Sequence, residues 1–131
     1  RGKNIDELGP RFVDMSKAYD REMLNEALEF AKANDILLHQ GVYVGLQGPT
    51  FETPSEYGFV RFIGGDCVGM STVPEVIVAR HMEMRVFCLS IITDLGGPEI
   101  SFDVSHEEVL NAANNAMPNV IKVVKSVIAN C

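Results

Sequence analysis

The stretch 44–58, VGLQGPTFETPSEYG, indicates the fold class because it holds both the end of a strand and the start of a helix. Residues 42–46 form a short apolar run that predicts a strand. Thr53, Pro54 and Glu56 then have the spacing of a helix N-cap, a first-turn proline and a capping-box acid. We therefore predict a helix that begins here and ends near the glycines at 64–65.

Three further helices follow from similar signals. Residues 20–33 repeat apolar side chains at intervals of three and four, which predicts an amphipathic helix. Residues 72–75 (TVPE) repeat the capping spacing and should open a helix that carries residues 75–84. Residues 105–108 (SHEE) should cap a long C-terminal helix, and Pro118 should kink or split it.

Two more strands complete the predicted pattern. Residues 66–70 (DCVGM) suggest a brief strand, and Arg85 to Thr93 (RVFCLSIIT) are the strongest strand candidate. The near-continuous apolar run at 85–93 predicts burial on both faces, as in the centre of a parallel sheet. Alternating strands and helices predict an α/β fold, with a mostly parallel central sheet flanked by helices and right-handed crossovers. The 131 residues fit a single domain.

Composition excludes several classes of partner. Eighteen acidic residues outweigh eleven basic ones, giving a net charge of -7, and there is no lysine and arginine block to neutralise nucleic acid. No segment approaches the ~20 apolar residues of a membrane span. Three widely spaced cysteines favour a reducing compartment, so we expect a cytoplasmic protein. The start at Arg1 suggests a processed form or a piece of a longer chain.

Chemically useful side chains follow each predicted strand, where open α/β sheets bind ligands. An aromatic ring, two carboxylates, a hydroxyl, a thioether and an imidazole would suit a flat small molecule with polar edges. Each also has a purely structural interpretation, as a helix-dipole acid, a cap, a core filler, a turn former or an exposed histidine. The candidates are Phe51 and Glu52, Met70 and Ser71, Asp94, and His106 at the start of the last helix.

Two long blocks carry a family resemblance, GPTFET at 48–53 and VGMSTVPEVIVARH at 68–81. With LGPRFVDMSKAYDREM at 8–23 and SHEEVL at 105–110, they resemble the C-terminal half of the trimeric purine nucleoside phosphorylases. The methylthioadenosine phosphorylases are related to the same family. The resemblance implies the C-terminal portion of the nucleoside phosphorylase fold, with the N-terminal half and its phosphate loop lying upstream of Arg1. These residues alone are therefore expected to be inactive.

The family resemblance also implies an activity. Members cleave the N-glycosidic bond of purine ribonucleosides or deoxyribonucleosides with inorganic phosphate, yielding the free purine and the sugar 1-phosphate for purine salvage. Phosphate is a co-substrate, and neither a metal nor an organic cofactor is expected. The full-length protein is expected to be a homotrimer.

The resemblance assigns roles to individual residues. Glu52 matches the glutamate that accepts hydrogen bonds from the purine, which suits an ionised carboxylate because it only accepts. Glu52 and Asp94 are the implied catalytic pair. The other implied contacts are Tyr43, Phe51, Val68, Gly69, Met70 and Thr93 around base and sugar, Ser71 at the phosphate, and His106 at the sugar 5'-hydroxyl.

Asp94 departs from the commonest family pattern. Members that prefer 6-oxopurines resemble this chain but have asparagine there, whereas aspartate resembles the methylthioadenosine branch. We expect hypoxanthine and guanine nucleosides first and adenine-type nucleosides second. Two functions of a different class also stay open: a truncated, non-catalytic purine-binding domain, and a nucleosidase that uses water in place of phosphate.

Overall fold

The computed structural model describes residues 2–97 and 105–131 and shows alternating strands and helices. The elements are a short 3-10 turn at Asp6–Leu8, then α1 (Arg21–Ala33), β1 (Tyr43–Gly45), α2 (Pro54–Phe62), β2 (Cys67–Gly69), α3 (Val73–His81) and α4 (His106–Ala129). β1 and β2 run parallel, with Val44 opposite Val68. The predicted α/β arrangement of parallel strands flanked by helices is confirmed. Within the described ranges, no helix combines the length with the apolar content needed to cross a membrane.

Both predicted capping boxes are present. At the start of α2, the Glu56 backbone N–H donates to Thr53 Oγ1 at 3.3 Å, and the Thr53 N–H donates to Glu56 Oε2 at 2.7 Å. Ser105 and Glu108 make the same reciprocal pair at the start of α4, both at 3.2 Å. Each box satisfies two N–H groups that would otherwise lack partners. α4 continues through Pro118 as one helix, so the alternative in which Pro118 splits it is wrong.

The cap predicted at Thr72 is wrong. Its side chain makes no cap hydrogen bond, and its backbone has φ +74° and ψ -56°. The Val73 N–H donates to the Ser71 carbonyl at 2.8 Å, so residues 71–73 form a γ-turn with a left-handed centre. This conformation turns the Thr72 hydroxyl away from the helix and toward Ser71 Oγ, 3.1 Å away. α3 also ends at His81, earlier than predicted.

The third predicted strand, at 85–93, is not a strand in the structure. Its residues are extended but form no ladder with any part of the chain that is described. Ser90 is exposed and Ile92 is 58% exposed, so burial on both faces is also wrong. Apolar composition favours an extended conformation, but a strand also needs a neighbour for its backbone groups.

The hydrophobic core lies between α1 and α4. Ala27 and Ala31 of α1 pack against Val123 and Val127 of α4, and the partly buried members of the cluster include Phe87 and Leu89 of the extended segment. Small alanines let the two helices approach closely. Full burial of one valine contributes about 1.5–3 kcal/mol relative to exposure. The core therefore secures the extended segment on the helix pair, even without a strand ladder.

A polar seam runs beside this core. Glu26 of α1 accepts hydrogen bonds from the Ser126 hydroxyl at 2.7 Å and from the Asn130 side chain at 2.9 Å. These contacts join residues about a hundred positions apart in the sequence. The seam fixes how the two helices align along their length.

An ion pair ties the beginning of the extended segment to α1. Arg85 Nε lies 2.6 Å from Asp20 Oδ2, and a second guanidinium nitrogen lies 2.9 Å from Glu22. Asp20 also caps α1, since its Oδ1 accepts from the Glu22 and Met23 backbone N–H groups. Hydrogen bonding to Arg85 is the main cause that lowers the pKa of Asp20, followed by the backbone N–H of Met23.

Replacing Asp20 with asparagine should make stability less sensitive to acid. Asparagine still caps a helix, so the substitution removes the charge of the ion pair and keeps the cap. A carboxylate with a lowered pKa stabilises the fold above its unfolded pKa of about 4, and that stabilisation is lost as the pH falls further toward the folded value. Urea unfolding across this acid range checks it. Wild type should be the more stable protein near neutrality, with the difference shrinking in acid; a constant difference would contradict the prediction.

Candidate functional site

The segments that follow β1 and β2 lie side by side at one edge of the sheet. Gly45 pairs with Gly69, and the Leu46 N–H continues the ladder by donating to the Gly69 carbonyl at 2.9 Å. Beyond it, the Met70 side chain packs on Gly48, where an added Cβ would lie 2.9 Å from Met70 Cγ. Gly48 also has φ +59°, so glycine is favoured there for two reasons. The two loops that carry predicted site residues therefore share one rim.

Three hydroxyl groups cluster on this rim. The Ser71 N–H donates to the Tyr43 hydroxyl oxygen at 3.3 Å, and the Tyr43 and Ser71 hydroxyls are 3.4 Å apart. Ser71 Oγ is also 3.1 Å from Thr72 Oγ1. A side chain at Gly69 would overlap the Tyr43 hydroxyl, with Cζ at 3.2 Å from an added Cβ. The structure thus places the end of the Tyr43 side chain at Ser71, and the Ser71 hydroxyl is positioned by both strands.

A second group of side chains is centred on Tyr57. The Glu52 and Asp94 carboxylates both lie near its half-buried phenol. Burial is the main cause that raises the pKa of Tyr57, and the charges of Glu52 and then Asp94 add to it. Thr93 Oγ1 donates to Asp94 Oδ1 at 2.8 Å. The Tyr57 ring also packs on Gly96, where an added Cβ would come within 2.6 Å of Cδ1.

Sequence reasoning missed Tyr57. An aromatic residue in the first turn of α2 has no motif that separates it from an ordinary packing residue. It contacts a segment almost forty positions later, which spacing within α2 could not reveal. The one sequence feature that could have indicated Tyr57 is its position five residues after the candidate Glu52.

The remaining predicted residues are less closely joined. Phe51 is 49% exposed and Met70 is 44% exposed, whereas Val68 is half-buried in the ladder. His106 is exposed as the first residue of α4, and no hydrogen bond links it to the other candidates within ranges 2–97 and 105–131. The structure therefore groups Tyr43, Ser71 and Thr72 as a hydroxyl cluster and places Glu52 and Asp94 near Tyr57, and His106 belongs to neither group.

Surface grooves lie next to one of these groups. A groove of about 380 Å³ runs between α3 and the extended segment; its walls include Ser71, Thr72 and Glu75. Another of about 390 Å³ lies on α3 and is lined by residues such as Pro74 and Met82. Neither groove is lined by Glu52 or Asp94. In the described part of the chain, no three histidine, cysteine or acidic side chains are grouped as a metal site would require.

Comparison with known proteins identifies the family. The model of the phosphorylase superfamily matches residues 1–129. Purine nucleoside phosphorylase 1 of Bacillus subtilis is 42% identical over 128 residues, which is 98% of this chain and 47% of that protein. Crystal structures of Schistosoma mansoni purine nucleoside phosphorylase in complex with inosine and with adenosine each superpose with a TM-score of 0.90 at 38% identity.

These matches cover nearly all of this chain but not all of the relatives. Each Schistosoma match covers 97% of this chain, and 46% of the solved chain in the inosine complex or 47% in the adenosine complex. The chain thus spans about half the length of the curated relatives it matches. At this level of identity and overlap, both sequence and fold agree with the family. The chain belongs to the phosphorylase superfamily.

Proposed function

We propose that this chain forms the C-terminal half of a purine nucleoside phosphorylase and supplies the base-binding part of its active site. The observation that carries the proposal is the rim at the ends of β1 and β2, where the Glu52 carboxylate follows one strand and the positioned Ser71 hydroxyl follows its neighbour. Similarity to purine nucleoside phosphorylases over 98% of the chain supports the same activity.

The proposed reaction joins a phosphate oxygen to C1' of the sugar while the bond from C1' to the purine nitrogen breaks. The bonding electron pair leaves with the base, so the base gains negative charge and must be held or protonated. Glu52 would accept hydrogen bonds from the N–H edge of the purine. Asp94 would meet the opposite edge, and Phe51 would cover the ring face.

Phosphate would be bound at the hydroxyl cluster. Ser71 is the proposed donor, held by Tyr43 on one side and next to Thr72 on the other. The γ-turn at Thr72 keeps the Ser71 side chain at the rim, and strained backbone of this kind is common where ligands bind. One serine does not neutralise a phosphate dianion, so the proposal requires cationic groups from elsewhere in the full-length protein.

Asp94 favours a second candidate, a phosphorylase of the methylthioadenosine or adenosine type. An ionised carboxylate accepts from a 6-amino group and repels a 6-oxo group. The similar Schistosoma mansoni enzyme has been crystallised in complex with adenosine, a 6-aminopurine nucleoside, which supports this candidate. Inosine and guanosine remain the substrates we place first.

We further propose that the full-length protein is a cytoplasmic homotrimer that uses no metal and no organic cofactor. The motif blocks at 48–53 and 68–81 support this proposal through their resemblance to trimeric members.

Phosphate-dependent release of hypoxanthine from inosine tests the proposed function. The protein at its native length should form hypoxanthine and ribose 1-phosphate in equal amounts, and only when phosphate is present. The 131 residues alone should show no turnover. Equal rates with and without phosphate would indicate a nucleosidase, and no release from inosine, guanosine or adenosine would contradict the proposal.

A further inference from the structure

Tyr57 connects two segments that are distant in the sequence. It lies in the first turn of α2, where its N–H donates to the Thr53 carbonyl at 3.1 Å, next to the capping box. Its ring packs against the backbone of Gly96, two residues after Asp94. The capped helix therefore holds the phenol firmly on the loop that carries Asp94.

The hydroxyl end of Tyr57 faces negative charge. The charge of Glu52, and then that of Asp94, adds to burial in raising the pKa of the phenol. A phenol is already protonated at physiological pH, and the raised pKa of Tyr57 extends this to higher pH, so the group is a neutral donor.

We propose that Tyr57 is a positioning residue of the base site, which sets the separation of the Glu52 and Asp94 carboxylates. The identity of the base rests on the proposed function. The ring anchors the loop after Asp94, and the hydroxyl orients Glu52. A planar base held at two edges requires both carboxylates at fixed places, because small misplacements of such groups reduce binding and rate. Tyr57 would act through these two residues and would not touch the reacting atoms.

Tyr57→Phe tests the hydroxyl separately from the ring. Phenylalanine keeps the packing on Gly96, so we expect the fold to be preserved. The dissociation constant for hypoxanthine, measured by calorimetry on the protein at its native length, should rise about tenfold, since the hydroxyl that we propose orients Glu52 is lost. In turnover of inosine, KM should rise more than kcat falls. An unchanged dissociation constant would overturn the proposal.

Tyr19→Phe is the matched control. Tyr19 is also half-buried, but the groups around it are Cys88, Tyr43 and Cys67, and neither carboxylate is among them. The same chemical change there should leave hypoxanthine binding within about twofold of wild type. If both variants lose hypoxanthine affinity equally, the loss does not depend on the position of the tyrosine. That result would contradict the proposed role of Tyr57.

A spectroscopic titration separates positioning from packing. With ring-labelled tyrosine, the Tyr57 resonance is assigned by its loss in Tyr57→Phe and is followed through alkaline pH. Glu52→Gln removes one of the charges that raise the pKa of Tyr57, so that pKa should fall. An unmoved pKa would show that the two groups are not coupled. A merely structural tyrosine would not respond in this way.

Gly96→Ala gives a second, independent perturbation. A methyl group there collides with the Tyr57 ring and must displace it. Weaker hypoxanthine binding, with Tyr57 itself intact, would support the proposal, and unchanged binding would contradict it. Hypoxanthine binding is measured without turnover. Absence of phosphorolysis would therefore overturn the proposed function, while the binding ratios would still decide the role of Tyr57.

Discussion

Glu52→Gln is expected to lower kcat/KM for inosine phosphorolysis by about 100-fold. The ionised carboxylate offers only acceptors to the N–H edge of the base, and a charge-assisted bond is stronger than a neutral one. Glutamine replaces one acceptor oxygen with a donor, which faces the donor of the base. The base is then held less firmly and in a less favourable orientation. Steady-state kinetics with inosine and saturating phosphate measure the effect.

Glu56→Gln makes the same chemical change four positions along the chain. Glu56 belongs to the capping box of α2, and glutamine serves at that position as well as glutamate. We expect kcat/KM to stay within about twofold of wild type. If kcat/KM falls by a comparable factor in both variants, the cause is a disturbance of α2 and not the loss of base binding. Unchanged kinetics in Glu52→Gln would remove Glu52 from the proposed site.

Asp94→Asn is expected to raise the ratio of kcat/KM for inosine to that for adenosine by at least about tenfold. The carboxylate accepts from a 6-amino group and repels a 6-oxo group, whereas an amide can donate to the oxo group. Thr93 donates to Asp94 Oδ1, and the amide oxygen can accept the same bond, so the local geometry should survive. Kinetics with both nucleosides at equal phosphate give the ratio.

Asp66→Asn is the control for this substitution. Asp66 lies just before β2 and accepts from the Val42 N–H at 2.7 Å, a bond that asparagine can also accept. It should leave the preference between nucleosides unchanged. If Asp94→Asn also leaves the ratio unchanged, position 94 does not read the 6-substituent.

Local features of the fold could be predicted from sequence. The capping boxes at Thr53 and Ser105 depend on residues three positions apart, so the spacing contains the needed information. The same spacing at Thr72 led to the wrong prediction of a cap, because the Thr72 backbone is the centre of a γ-turn with positive φ. A side-chain pattern does not encode φ when the conformation is imposed by the loop around it.

Non-local features were harder to predict. The apolar run at 85–93 predicted a strand, but strands are defined by pairing, and the described residues supply no partner for it. In the site, the rim that follows β1 and β2 could be anticipated from parallel topology. The contact of Tyr57 with Gly96 could not, because it joins α2 to a loop through tertiary packing alone.

The seam between Glu26 and the end of α4 has a consequence for folding speed. It joins residues 100 and 104 positions apart in the sequence. Closing a loop of that length carries an entropy cost of about 4 kcal/mol from the chain-length dependence. Ser126 and Asn130 are synthesised long after Glu26. During synthesis, α1 therefore cannot complete its core until α4 has been made.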